Sequence, residues 1–195
     1  MPSITLRPAA SHAEVDTGYA FLDAQLGLDA QHRRSVAFYH TVFTQTPGLL
    51  LLANDHQLIV GALFASIEGD HVLAGELAVV PAAQRQGIGS RLLGLLEAQS
   101  RHIGQRRIML GAVASAEGFY LQNGYRPLLF IQVARADLQA QIQPQLPGYE
   151  RIWEDLQPDR YAVIIATQGL EKALQQRINA LAPEVSTQYL FVKEL

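Results

Sequence analysis

Residues 77–90 decide the fold: Leu77-Ala78-Val79-Val80-Pro81-Ala82-Ala83-Gln84-Arg85-Gln86-Gly87-Ile88-Gly89-Ser90. A β-type apolar run stops at Pro81 and a short polar turn follows. Gly87 and Gly89 then open a helix whose apolar residues, Ile88, Leu92, Leu95 and Leu96, recur at helical spacing. A helix that begins on glycines just after a strand presents bare backbone N–H groups and the positive end of its dipole, which is an arrangement that binds phosphate. Glycine suits both positions because a side chain there would block a close backbone approach. Glycine pairs also occur at plain strand–helix turns, so spacing alone leaves both readings open. The better-known nucleotide motifs fail. A dinucleotide fingerprint starting at Gly87 needs a third glycine where Leu92 stands, and the chain has no Gly-Lys-Ser/Thr triplet.

Gln84-x-x-Gly87-x-Gly89, preceded by Leu77-Ala78-Val79-x-Pro81, resembles the acetyl-CoA signature of the GNAT superfamily of N-acetyltransferases. A second segment, Gly118-Phe119-Tyr120-Leu121-Gln122-Asn123-Gly124-Tyr125, is similar to the family's Phe-Tyr-x-x-x-Gly-Phe/Tyr segment, where a helix carrying a tyrosine ends on glycine before the next strand. The two pieces occur in the family's order and at its distance. The resemblance covers roughly residues 3–134. It implies an α/β (α+β) GNAT acyltransferase fold, with a mixed central sheet of splayed strands flanked by helices.

The activity it implies is acetyl transfer from acetyl-CoA to a primary amine by direct attack. Gln84, Arg85, Gln86, Gly87, Ile88, Gly89 and Ser90 are then the cofactor loop. Leu77, Ala78 and Val79 fall where the family's fourth strand bulges and its backbone holds the pantetheine arm. The chemistry needs few parts: a neutral amine, an N–H donor for the oxyanion and a proton for the departing thiolate. Tyr120 matches the family's helix tyrosine and is the candidate proton donor. A phenol near pKa 10 suits that transfer, although an amphipathic tyrosine packing at a sheet edge has the same pattern. Glu76, alone among apolar neighbours on the strand, is the candidate general base, with a solvent-facing strand carboxylate as the plain alternative. His71 is a fallback. Relatives commonly carry an Asn a few residues before the tyrosine. Here Gly111-Ala-Val-Ala-Ser115-Ala-Glu-Gly118 has none, and Ser115 is the nearest substitute.

Composition bounds the rest. The 195 residues are 49% apolar and 17% charged, with a net charge of −3, which is ordinary for a globular chain with a real core. No window approaches a membrane-spanning length, and the N-terminus lacks the apolar centre of a signal peptide. There is no cysteine, which excludes thiolate nucleophiles and fits a cytoplasmic protein. Six scattered histidines show no metal-ligand spacing, so no metal is expected. Nothing suggests nucleic acid. Arg85, Arg91, Arg101, Arg106 and Arg107 face only Glu97 between Pro81 and Leu110. That is either a basic island for a polyanionic cofactor or a solvated helix face. Between Ala9 and Val80, Glu14, Asp16, Asp23, Asp29, Asp55, Glu68, Asp70 and Glu76 outnumber Arg33 and Arg34, which fits either a cationic amine acceptor, a small molecule or a peptide, or a plain solvated acidic surface.

Along the chain the pattern gives strands at 4–7, 49–53, 57–67, 71–80, 107–111 and 125–134. Helices are expected at 11–26, 31–43, 87–102 and 115–122, with Gly104 capping the third. The Gln/Pro-rich stretch 136–150 suggests a connector. It would join a core of residues 1–134 to an extension of residues 135–195, built as strand 161–167, helix 170–181 and strand 188–193. A β-α-β unit that small cannot bury a core alone, so it must dock on the core or on a second copy in a homodimer. The rival function is a non-catalytic acyl-CoA-binding regulatory module.

Overall fold

A computed structural model describes residues 4–27 and 33–195. The chain forms two compact units, Met1–Ile108 with Glu194–Leu195, and Met109–Lys193. The boundary expected at 134–135 therefore falls inside the second unit. The class is α/β, with nine strands among the described residues and helices that pack on them.

The first unit is built on four antiparallel strands in the order β1 (Ile4–Pro8), β2 (Leu50–Asp55), β3 (Leu58–Glu68) and β4 (His71–Val79). Their apolar runs form its core, with Leu51, Ala53, Leu63 and Ala65 fully buried. Helix α1 (His12–Leu26) starts where Ser11 caps the Glu14 N–H and stops at Gly27 in the left-handed region. Its stripe of Val15, Gly18 and Leu22 is buried. A Cβ on Gly18 would meet Leu50 Cδ2 at 3.0 Å, so glycine lets this helix lie close on β2. Helix α2 (Val36–Gln45) is capped by Ser35 and buries Tyr39 and Val42. The sequence places its start at Gln31, but residues 31 and 32 lie outside the described residues, as does Asp29.

Helix α3 (Ile88–His102) follows β4 through the short 3₁₀ turn Pro81–Ala83. It buries Ile88, Leu92, Leu93 and Leu96. Leu93 is buried, whereas Leu95, expected on the stripe, is half-buried. Gly104, with φ 82°, closes the helix as expected, its N–H reaching Arg101 O and the Gln105 N–H reaching Ser100 O. Strand β5 (Arg107–Gly111) leads from the first unit into the second.

The second unit contains α4 (Glu117–Gln122), β6 (Arg126–Val133), the short α5 (Gln139–Ile142), β7 (Arg151–Gln157), β8 (Arg160–Ala166), α6 (Lys172–Asn179) and β9 (Val185–Glu194). Its strands run in the order β9-β6-β8-β7 with antiparallel neighbours. This corrects the expected β-α-β extension in two ways. Residues 136–150 are not a bare connector: two 3₁₀ turns and α5 bury Leu138, Ile142 and Leu146. Strand β7 is an additional element. The extension docks on the last strand of the expected core: β6 is paired on both edges, by β8 on one side and β9 on the other, so the C-terminal strands complete a sheet.

Candidate active site

Strand β4 does not run evenly along β3. Phe64 faces Glu76 and Ala65 faces Ala74, which leaves Gly75 unmatched as a β-bulge. The break falls two residues before Leu77. Beyond it the ladder resumes, with Leu77, Ala78 and Val79 opposite Leu63, Ala62 and Gly61. A Cβ at Gly75 would sit 2.7 Å from Arg34 Nη1 and displace that guanidinium.

The bulge seats Glu76 in the interior. The residue is 5% exposed, which removes the reading of a solvent-facing strand carboxylate. Its Oε1 accepts a hydrogen bond from Arg34 Nη1 at 2.8 Å, and its Oε2 is buried with no hydrogen-bond partner among the described residues. Around it the aromatic packing is tight. Tyr39 stacks on Phe64 with ring centroids 3.7 Å apart, and the Arg34 guanidinium lies 5.9 Å from the Phe38 ring. Burial first, then the neighbouring Glu76 charge, push the Tyr39 phenol above its ordinary range. Tyr19, Leu22, Asp23, Arg34, Tyr39 and Glu76 line a narrow pocket open to solvent. Arg33 is paired with Asp23 at 2.8 Å.

At the other end of β4 the loop 84–90 takes a defined shape. Gln84 Nε2 donates back to Val79 O at 3.0 Å, and Gln86 Nε2 to Ala82 O at 3.3 Å. Arg85 and Gly87 both adopt positive φ, 60° and 77°. Gly87 is the N-cap of α3. No side chain caps this helix and its first turn holds no acidic residue, so its leading N–H groups face outward with the dipole behind them. A Cβ on Gly87 would meet nothing within 4 Å. The loop thus frames open space in front of a helix N-terminus, with the exposed Arg85 beside it.

The basic island is smaller than its sequence suggested. Arg91 Nη2 donates to Ile4 O at 3.1 Å. Arg107 is paired with Glu194 at 2.8 Å and Asp70 at 3.4 Å. Arg101 and Arg106 lie at or beyond the far end of α3, about 22 Å along a helix of fifteen residues. His71 stands at the start of β4 with Nδ1 3.2 Å from Asp70 Oδ1, five residues before Glu76. Among the described residues no group of three or more His, Asp or Glu could hold a metal, and no helix is long and apolar enough to cross a membrane.

Tyr120 belongs to the second unit, on α4. Its ring meets Tyr125 and Phe191 with centroids 6.2 Å and 5.5 Å away. Burial raises its phenol pKa, so the hydroxyl holds its proton throughout the neutral range. Gly118 lies inside the first turn of this helix.

Residues 46–127 match the acetyltransferase (GNAT) domain. That stretch, less than half of the chain, is similar to a GNAT acetyltransferase domain. Solved structures agree on the fold. A GNAT-family acetyltransferase from Staphylococcus aureus is 18% identical, with 83% of this chain and 98% of that one covered and a TM-score of 0.52. The diaminobutyrate acetyltransferase EctA from Paenibacillus lautus, solved with L-2,4-diaminobutyric acid and coenzyme A, is 17% identical over 85% and 96% of the two chains, TM-score 0.54. A GNAT-family acetyltransferase from Elizabethkingia anophelis with acetyl-CoA bound is 18% identical over 86% and 100%, TM-score 0.50. No curated protein matches the sequence. The sequence singles out loop 84–90, strand β4 with Glu76, and Tyr120, but it places the bulge at Leu77, Ala78 and Val79, whereas the unmatched residue is Gly75. It misses Arg34 and Tyr39, the partners of Glu76. The one available signal was Gly75, a glycine inside a strand next to a lone carboxylate.

Proposed function

We propose that this protein transfers an acetyl group from acetyl-CoA to a primary amine. The observation that carries the reading is the Gly87 turn: an uncapped helix N-terminus facing open space where a Cβ would otherwise stand. These features fit the pyrophosphate of acetyl-CoA. The backbone at Gly87, Ile88, Gly89 and Ser90 would hold it, Gln84 and Gln86 brace the loop, and Arg85 adds charge. Leu77, Ala78 and Val79 would line the pantetheine arm. When bound, acetyl-CoA supplies the activated acyl thioester.

The remaining work falls to this chain's own residues. Glu76 is the general base: Oε2 has a free acceptor position inside the pocket, and it takes a proton from the incoming ammonium or from a water beside it. Arg34 and Tyr39 hold that carboxylate in one orientation. Tyr120, protonated at neutral pH, gives its hydroxyl proton to the leaving thiolate and recovers one from solvent. The Glu76 carboxyl in this narrow pocket favours an amine acceptor, a small molecule or a peptide terminus.

A second reading, a non-catalytic acyl-CoA-binding module, is favoured by one observation: Arg34 already occupies Oε1 of Glu76. The separating test follows thiol release from acetyl-CoA with L-lysine, L-2,4-diaminobutyrate, spermidine and a peptide with a free N-terminus. Release with any of the four establishes the enzyme. CoA binding without release from any of them selects the binding module.

A further inference from the structure

Helix α4 carries Tyr120 and has little to hold it. It has six residues, no side-chain cap at its start, and a single buried residue, Glu117. A helix of that length has no independent stability. Yet Tyr120 acts only if its hydroxyl is kept in one place.

Two lysines from the C-terminal part of the chain supply the missing restraint, one at each end. Glu117, 5% exposed, binds Lys172 Nζ through both carboxylate oxygens, at 2.8 Å and 2.6 Å. Lys172 begins α6, and its ammonium also lies 4.8 Å from the centroid of the Tyr189 ring on β9. At the other end Gly124, with φ 80°, closes the helix: the Tyr125 N–H reaches Tyr120 O at 3.1 Å and the Gly124 N–H reaches Leu121 O at 3.0 Å. The carbonyl of the closing residue, Asn123 O, accepts from Lys193 Nζ at 2.9 Å, and that ammonium lies 5.2 Å from the Tyr125 ring centroid. Both charges suit the helix dipole, a carboxylate at the start and an ammonium at the end.

We propose that Lys172 and Lys193 are positioning residues for Tyr120, clamping the two ends of α4 so that its phenol is presented in a single orientation. The inference rests on the donor role given to Tyr120 above, and it assigns a task to a segment in which the sequence shows no catalytic motif.

The test uses the full chain with Lys193→Met, Lys172→Arg, the pair Lys172→Met with Glu117→Gln, and Tyr120→Phe. The paired substitution removes both charges, so no unpaired buried carboxylate is left to unfold the protein. Two quantities are read. Amide hydrogen exchange at residues 119–122 reports the clamp without any activity. The kcat and KM for acetyl-CoA, with whichever of the four amines above turns over fastest, report its effect. Exchange at 119–122 should quicken at least about tenfold in Lys193→Met and in the paired variant. In both, kcat should fall by about tenfold with KM for acetyl-CoA unchanged, and Lys172→Arg should restore wild-type values. Wild-type exchange in both variants would overturn the clamp. Faster exchange with wild-type kcat, while Tyr120→Phe is slow, would reduce the lysines to structural ties and overturn the positioning role. A wild-type kcat in Tyr120→Phe would instead remove the donor role itself, whatever the exchange shows, and the inference would fall with it.

Discussion

At the scale of single residues, the sites differ in what their environment demands. Gly87 is fixed by backbone conformation, not by crowding: φ is 77° and the space around its missing Cβ is open. Gly87→Glu should therefore fold, at a strain of about 1–2 kcal/mol for a left-handed residue, while placing a carboxylate where the pyrophosphate belongs. Titration calorimetry should show no CoA binding to this variant; affinity equal to wild type would dismiss the cradle. Tyr120→Phe removes one proton and little volume, so kcat should fall at least about tenfold with CoA affinity intact. Glu76 and Arg34 depend on each other. Arg34→Met leaves a buried carboxylate without its cation, a loss on the order of 3 kcal/mol, whereas Arg34→Met with Glu76→Gln should recover much of the lost melting temperature. The glycines and Tyr120 were legible because their signals lie within a few neighbouring residues. The Arg34–Glu76 pair was not, because 42 residues separate the partners and only the fold brings them together.

At the scale of elements, strands and helices with a buried stripe are legible with small boundary errors, α4 is legible without one because its motif marks it, and β7, which has neither, is not. Strand β7 is exposed at nearly every position, with Arg151, Glu154 and Asp155 interrupting any alternation, so it carried no apolar signal of its own. Residues 136–150 were misjudged for the opposite reason. Their three buried anchors, Leu138, Ile142 and Leu146, are spaced four apart, but the Gln/Pro content around them suggested a loop. One link between elements gives a pH prediction. Arg7 of β1 holds Glu14 of α1 with two hydrogen bonds, at 2.8 Å and 2.6 Å, and the Ala10 N–H adds a third at 2.7 Å. The Arg7 hydrogen bond, then that from Ala10, lower the Glu14 carboxyl from 4.5 to about 2. A carboxylate whose pKa falls on folding stabilises the fold above its unfolded value and loses that contribution as the pH drops through the folded one. The melting-temperature gap between wild type and Glu14→Gln should thus be constant from pH 7 to 5 and close between about pH 4.5 and 2. The gap should be small, since both side chains are partly exposed. A gap unchanged at pH 2 would show that the charge is not what joins the two elements.

At the scale of the whole molecule, the C-terminal third is a structural part of its unit. Both edges of β6 are occupied by strands that follow it, along registers of eight residues with β9 and six with β8. Removing residues 136–195 would bare both edges of β6 and the face that buries Leu128, Leu129 and Ile131. Size-exclusion chromatography of residues 1–135 should show aggregate or no soluble material. A soluble monomer of that length would mean that the C-terminal strands are dispensable. The sequence did anticipate that this segment needs something to dock on. It did not show that β6 lies between its strands, because pairing partners across such a distance leave no local pattern.

That placement also sets the order of events during synthesis. The β6 residues find their β9 partners only about 52 to 66 positions later in the chain. At about 5–20 residues per second, β6 leaves the ribosome roughly 3–13 s before β9 exists. During that interval its apolar edge has no native neighbour, and the helix carrying Tyr120 has no lysine at either end. The sheet of the second unit therefore cannot be completed until its last strand is made, and in that window a chaperone, or another nascent chain, has first access to β6.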